Sequence, residues 1–307
     1  MKNITELNVL VTGATGFIGK HLIHFLQKQP EIRIWGISKR GGRVGDVRID
    51  SIDLTIGTDL DDWKKDKPPF DAIFHLAAVV PGSFEGASAR ESFLANILMV
   101  QNILALANRE RTTFINISGS SVYGMQAIPP MVEEILACPD NYYSLGKYVC
   151  ELLCALEGTQ KGFITTSLRI SAPYGPGQQA RTVINLFLDA ALASRDVLFY
   201  GSGARMQDFT YIDDVVRAMW LAYQEKVSGV FNIASGRSVN MKELAEIVLG
   251  LVPATRSRVK PAGKPDPQEA YRGVFSIAKA EQELGYHPQV PLEAGLWACL
   301  LARQGAV

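Results

Sequence analysis

The sequence has no excess of either charge, its 31 Lys and Arg balancing 31 Asp and Glu over 307 residues. A chain without net positive charge lacks the electrostatic footprint of a nucleic-acid groove or a membrane-surface patch. The one short basic cluster, Arg256, Arg258 and Lys260, lies beside a loop marked by prolines 253, 261, 265 and 267. Cysteine is scarce, and its four copies point to a reducing compartment rather than a disulfide framework. Cys138, Cys150, Cys154 and Cys299, with His21, His24, His75 and His287, show no metal-ligand spacing, so the cysteines read as small core residues and no metal is expected. No apolar run has the length of a membrane span, and the start, MKNITELNVLVTG, enters a strand without a signal-peptide pattern. Internal repeats and low-complexity segments are missing too. The expectation is a soluble, cytoplasmic protein with no nucleic-acid or membrane partner, long enough for one elaborated α/β domain or two lobes.

What the sequence does have is a strong opening pattern. The apolar run Val9, Leu10, Val11 stops at Gly13, and glycines recur at Gly16 and Gly19. Phe17, Ile18, Leu22, Ile23, Phe25 and Leu26 then repeat at helical spacing. Strand, glycine turn and helix, in that order, form the context of a dinucleotide-binding turn. Gly13 would let the chain turn off the strand, and Gly16 would let a pyrophosphate approach the backbone. Gly19 would let the helix lie close to the sheet, its first N–H groups facing the phosphates. Thr15, Phe17 and Ile18 share this turn and are grouped with it as cofactor contacts. The GxxGxxG spacing alone does not name the cofactor.

The second strand, EIRIWGIS, ends in Ser38, Lys39 and Arg40 rather than in the carboxylate that holds both ribose hydroxyls of NAD. Cations there accommodate a 2′-phosphate, so NADP(H) is the preferred expectation and NAD(H) stays open. Asp53, followed by Leu54, stands where a carboxylate would accept from the adenine amino group.

Further along, apolar periodicity alternates between strands and helices. DAIFHLAA (71–78) reads as a buried strand whose small end, Leu76, Ala77 and Ala78, would meet cofactor. His75 inside it reads as a hydrogen-bonded core histidine rather than a base. Helices are predicted over 88–108 and 142–157, with strands over 112–118 and 163–170. After the turn-rich APYGPGQQ come helices over 182–193, 213–223 and 240–249, the last capped by Asn240, and a strand over 229–234. Helices over 278–284 and 292–302 close the chain. The alternation predicts an α/β fold: a Rossmann doubly wound parallel sheet with a smaller C-terminal α/β substrate-binding lobe. Residues 1–172, joined by about 209–235, would form the NAD(P)-binding domain, and 173–307 the substrate-binding lobe.

Tyr143 and Lys147 place a phenol and an ammonium at i and i+4 on one helix face. Free tyrosine keeps its proton until about pH 10. A neighbouring cation favours the phenolate, which suits such a pair to move a proton while hydride passes between nicotinamide and a substrate carbon. A bare YxxxK is common. This one follows the strand ending in SGSSVYG, in a chain that opens with the glycine turn, and carboxyl ends of strands converge on the cofactor crevice of such a sheet.

In order and over nearly the whole chain, TGATGFIG, Asp53-Leu54, HLAA, Asn96, SVYG, YxxxK, YGPGQ, QDFTYIDDV and FNIASG resemble the extended short-chain dehydrogenase/reductase family. This is the group of nucleotide-sugar epimerases, dehydratases and reductases. The resemblance implies a bound nicotinamide cofactor, catalysis by Tyr143 with Lys147 on the nicotinamide ribose, and Asn96 in a supporting role. It also implies a homodimer, with the 88–108 and 142–157 helices forming a four-helix bundle.

Departures from the family pattern matter for function. The family's Ser or Thr four residues before the tyrosine of VYG, which bonds the reacting oxygen, is Gly119 here. Its neighbours Ser118 and Ser120 become the candidates, with Ser120 preferred as nearer the VYG turn. An asparagine that helps hold the sugar nucleotide is replaced by Ala172, and an arginine that meets a nucleotide phosphate by Gln207. Arg205 and Arg272 are the remaining candidates for that phosphate, and the three are grouped as substrate-binding. The Ser38-Lys39-Arg40 pattern favours an NADPH-dependent reductase of a nucleotide-linked 4-keto-6-deoxy sugar. The alternative is an epimerase or dehydratase with tightly bound NAD, and Gly119 also leaves open a non-catalytic cofactor-binding protein.

Overall fold

The computed structural model describes residues 6–82, 84–252 and 256–305; the first five residues and Pro253 of the proline-marked loop lie outside the described residues. The first half runs β1 (Leu7–Thr12), α1 (Phe17–Leu26), β2 (Ile32–Ser38), β3 (Gly42–Val44), β4 (Val47–Ser51), α2 (Gly57–Lys64), β5 (Ala72–His75), α3 (Gly86–Leu104), β6 (Thr113–Gly119). A 3-10 turn, Ser120–Tyr123, precedes α4 (Tyr142–Lys161) and β7 (Ile164–Ile170). The second half runs α5 (Val183–Leu192), β8 (Val197–Phe199), β9 (Met206–Asp208), α6 (Ile212–Glu225), β10 (Gly229–Ile233), β11 (Ser238–Asn240), α7 (Met241–Gly250), β12 (Val259–Pro261), α8 (Ala278–Leu284) and α9 (Leu292–Arg303).

Eight strands form one sheet in the order β10-β7-β6-β5-β1-β2-β4-β3. Every neighbouring pair is parallel except β3 with β4, an antiparallel edge. Both faces of the sheet are covered, and the strands show why. Val9 and Val11 of β1, Phe74 of β5 and Ile115 and Ile117 of β6 join one core, with Leu22 and Ile23 of α1 and Val215 and Met219 of α6. Their neighbours Leu10, Ile73 and Phe114 point the other way, into a second core with Val100 and Ile103 of α3 and Cys150 and Cys154 of α4. Period-two alternation with both sets apolar is what a doubly covered parallel strand requires.

Three helices begin at side-chain caps, of which Asn240 was the one expected. Asn141, Thr182 and Asn240 accept from the backbone N–H groups of Ser144, Asn185 and Glu243, capping α4, α5 and α7. The chain passes from β1 outward to β2 and β4, then returns to the other side of β1 to place β5, β6 and β7. The order therefore reverses beside β1, and a crevice opens at the carboxyl ends of β1 and β5. Two small sheets, β9 with β11 and β8 with β12, lie outside this layer.

Candidate active site

The crevice at the switch point is a cleft of about 500 Å³. The glycine turn forms one wall, with Gly13, Gly16, Phe17, Ile18 and Gly19, and Leu76 and Ala78 stand beside it. Gly13 has φ +63°, and a Cβ on it would stand 2.8 Å from the Ala77 amide nitrogen. The turn and the end of β5 thus touch backbone to backbone. Gly19 is needed for a different contact from the one expected: a Cβ there would collide with the Gly13 carbonyl, so it packs against the turn itself.

Thr12, which is not among the expected site residues, ties these walls together. Its Oγ1 accepts from the amides of Leu76 (3.1 Å) and Ala77 (3.0 Å) and lies 3.0 Å from His75 Nδ1. Burial, with a smaller contribution from Lys147, pushes the His75 pKa down to about 3. His75 is therefore neutral, the Thr12 hydroxyl donates to Nδ1, and the ring is a structural partner of the turn rather than a base.

Tyr143 and Lys147 line the same cleft, one turn apart on α4. Lys147 is buried; its Nζ donates to the Ile117 carbonyl at 2.7 Å and lies 5.9 Å from the Tyr143 ring centre. The Phe84 ring meets Tyr143 edge-on, with centroids 5.8 Å apart. Asn96 supports the cleft from α3: its side chain accepts from the Val79 amide and donates to the Val79 carbonyl.

Ser118 in β6 and Ser120 and Ser121 just after it all line the cleft but are engaged differently. The Ser118 hydroxyl donates to Glu151, whose carboxylate forms a buried pair with Arg169 at 2.7 Å. Ser120 is buried and its hydroxyl faces the Tyr271 phenol. Neither is the free hydroxyl that was expected. Ser121, absent from the expected set, lines the cleft and is exposed. Only a local fact could have singled it out, the 3-10 turn that begins at Ser120.

At the adenosine end, the Ser38 Oγ is buried without a hydrogen-bond partner, at the carboxyl end of β2. An orphaned hydroxyl there suits a ribose hydroxyl, so the chain fits a dinucleotide at both its turn and its ribose end. Lys39 is drawn away: its Nζ lies 2.8 Å from Asp53. Hydrogen bonds from Lys39, then Thr55, hold the Asp53 carboxyl down to about 2. The cationic pair expected to meet a 2′-phosphate is thus reduced to Arg40, which is exposed. Leu54 is buried in the second core rather than facing the cleft.

A second cleft, of about 770 Å³, is lined by Arg205 together with Arg181, Arg195, Lys264, Phe187 and Tyr200. Arg205 lies 3.4 Å from Asp266 and donates to Gln268. The other two residues grouped with it are differently engaged. Gln207 donates to Ser171 and to the Asp208 carbonyl, and Arg272 donates to the carbonyls of Glu269 and Tyr271. Arg181, Arg195 and Lys264 lie in no sequence motif and are not among the expected site residues.

Comparison with known proteins agrees with this architecture. A model described as the NAD dependent epimerase/dehydratase family matches residues 9–234. The chain is 30% identical over 309 residues to a UDP-N-acetyl-alpha-D-glucosaminuronate decarboxylase of Bacillus cytotoxicus, covering 94% of each chain. It is 26% identical over 307 residues to dTDP-glucose 4,6-dehydratase of Streptomyces antibioticus, covering 94% of this chain and 90% of that one. A solved structure of UDP-glucuronic acid 4-epimerase from Bacillus cereus, in complex with UDP-glucuronic acid and NAD, matches with a TM-score of 0.83 at 26% identity. That match covers 97% of this chain and 99% of the other. The family match runs from β1 to the end of β10, across the whole parallel sheet and its crevice. This chain belongs to the NAD dependent epimerase/dehydratase family, among the extended short-chain dehydrogenases/reductases that act on nucleotide sugars.

Proposed function

We propose that this protein oxidises a carbinol of a nucleotide sugar with NAD(H) that it retains and recycles within one turnover, as an epimerase, dehydratase or decarboxylase. The observation that carries this reading is the meeting of Tyr143 and Lys147 with the glycine turn in one cleft. When bound, the nicotinamide supplies a hydride acceptor at C4. The first amides of α1, those of Phe17 and Ile18, would hold the pyrophosphate at the glycine turn, with Thr15 beside it. Ser38 bonds the adenosine ribose, Asp53 accepts from adenine, and Leu76, Ala77 and Ala78 form the wall opposite the turn.

Lys147, anchored on the Ile117 carbonyl, keeps further N–H groups for the nicotinamide ribose. Tyr143 then takes the substrate hydroxyl proton and returns it later in the cycle. Arg205, with Arg181, Arg195 and Lys264, binds the nucleotide end of the substrate, while Gln207 and Arg272 brace the loops around it. Residues 173–307 supply most of this substrate side.

A second reading, net reduction of a keto sugar by NADPH, is favoured by Arg40 alone, which stays exposed beside Ser38. The nucleotide released on denaturing the purified protein separates the two. Retained NAD(H) is expected, whereas a protein purified empty that then binds NADPH supports the reductase. Tyr143→Phe is expected to lower turnover by about a hundredfold or more. Unchanged activity in that variant would remove this acid–base mechanism.

A further inference from the structure

Gly119 leaves the cleft without the hydroxyl that the family resemblance implies at its position, and a hydroxyl two residues downstream lies close to the gap. We propose that Ser121 donates the hydrogen bond to the reacting oxygen; the inference rests on the Tyr143 mechanism above. Beyond the adjacent residues Ser118 and Ser120, a Cβ built on Gly119 would have the Ser121 Oγ nearest, at 3.7 Å, and the Ile170 carbonyl oxygen at 4.0 Å. The chain reaches this arrangement by leaving the extended strand at Gly119 (φ −147°, ψ 152°) and entering the 3-10 turn, which swings Ser121 back beside the gap.

Its two competitors also line the cleft, but both are buried and set against other side chains. The Ser118 hydroxyl serves Glu151 in the buried Glu151–Arg169 pair, and the Ser120 hydroxyl faces Tyr271. Ser121 is exposed into the cleft that Tyr143 and Lys147 line. Among the described residues, no side chain holds its hydroxyl.

The step balances without a proton from Ser121. The carbinol C–H bond breaks and its hydride passes to oxidised nicotinamide. The carbinol O–H proton passes to the Tyr143 phenolate, and the carbon–oxygen double bond forms. The Ser121 O–H stays intact and donates to that oxygen, fixing its place within reach of Tyr143.

The test uses the full-length holoenzyme with UDP-glucose, UDP-glucuronic acid and dTDP-glucose as probes, following turnover and the near-ultraviolet absorbance of NADH. Ser121→Ala is expected to lower kcat by about tenfold to a hundredfold, with KM changed by less than about threefold. A Cβ at Gly119 makes only ordinary van der Waals contacts, so Gly119→Ser/Ser121→Ala is expected to recover most of the lost kcat, a rescue that a merely structural Ser121 would not show. Wild-type activity that needs Tyr143 but is untouched by Ser121→Ala overturns the role of Ser121 alone. So does an inactive wild type that Gly119→Ser switches on, because the hydroxyl was then missing. If wild type and Gly119→Ser are both inactive on all three probes, the carbinol-oxidation reading fails and takes this inference with it.

Discussion

Thr12, His75 and Ser38 show how single polar side chains set this site. Thr12 and His75 close a hydrogen-bond circuit that holds the glycine turn against the end of β5. The circuit requires a neutral imidazole, and burial enforces it, the His75 pKa falling from 6.5 to about 3. A base with a depressed folded pKa takes up its proton first in the unfolded chain. Its stabilising effect is therefore complete above pH 6.5 and is lost as pH falls toward about 3. Between pH 6.5 and about pH 5, the wild type should lose about 2 kcal/mol more stability than His75→Gln. Asp208 tilts the other way. Burial raises its pKa to about 6, so its effect favours folding at low pH and fades as pH rises through that value. The comparison of variants cancels this term, and denaturant unfolding at the two pH values measures the remainder. Equal pH slopes in both proteins would mean that His75 is not the neutral partner the circuit needs.

At the scale of elements, the glycine turn is tuned by contact more than by composition. A side chain at Gly19 would strike the Gly13 carbonyl and stand 2.9 Å from the Ala14 Cα, and backbone atoms cannot swing aside. Gly19→Ala is therefore expected to destabilise the protein by about 1–3 kcal/mol, as overpacking does, and to lower NAD(H) retention at least tenfold. Thermal unfolding and the nucleotide content of the purified variant report the two effects. A fully loaded variant of unchanged stability would show that the turn has slack. The turn was legible in the sequence because strand, glycines and helix are all local signals, as were α3, α4 and α7 with their long periodicity or caps. The three-residue strands β8, β9, β11 and β12 were not. Each is defined by pairing with a partner remote in sequence, such as Met206–Asp208 with Ser238–Asn240. The same limit applied to the hydroxyl. Ser118, Ser120 and Ser121 are equivalent in composition and all line the cleft, and only the rotation into the 3-10 turn sets one against Glu151, one beside Tyr271 and leaves Ser121 exposed. The Lys39–Asp53 pair was hidden for a related reason, since Asp53 approaches from beyond another strand, β4.

For the whole molecule, the helices α3 and α4 that carry Asn96, Tyr143 and Lys147 also face outward with an unusual surface. Leu94 and Leu98 on α3, and Leu145, Leu152 and Leu156 on α4, are each between 37% and 59% exposed. Their spacings of four and seven residues keep each set on one helix side, and α3 packs directly on α4. Among the described residues, no helix is long and apolar enough to cross a membrane, so a bilayer-spanning role does not account for this stripe. A second copy of the chain, adding its own α3 and α4 to form a four-helix bundle, would cover it. Such a dimer would brace the helix bearing Tyr143 and Lys147 from behind. The proposal predicts a solution mass near twice 33.6 kDa by light scattering. Leu98→Glu/Leu152→Glu should bring the mass close to that of one chain, because a carboxylate without a partner is costly at a buried interface. Both leucines are exposed in the single chain, so the substitutions should leave its unfolding midpoint nearly unchanged. A wild type that scatters as a single chain would remove the dimer, and a double variant that stays dimeric would move its interface elsewhere.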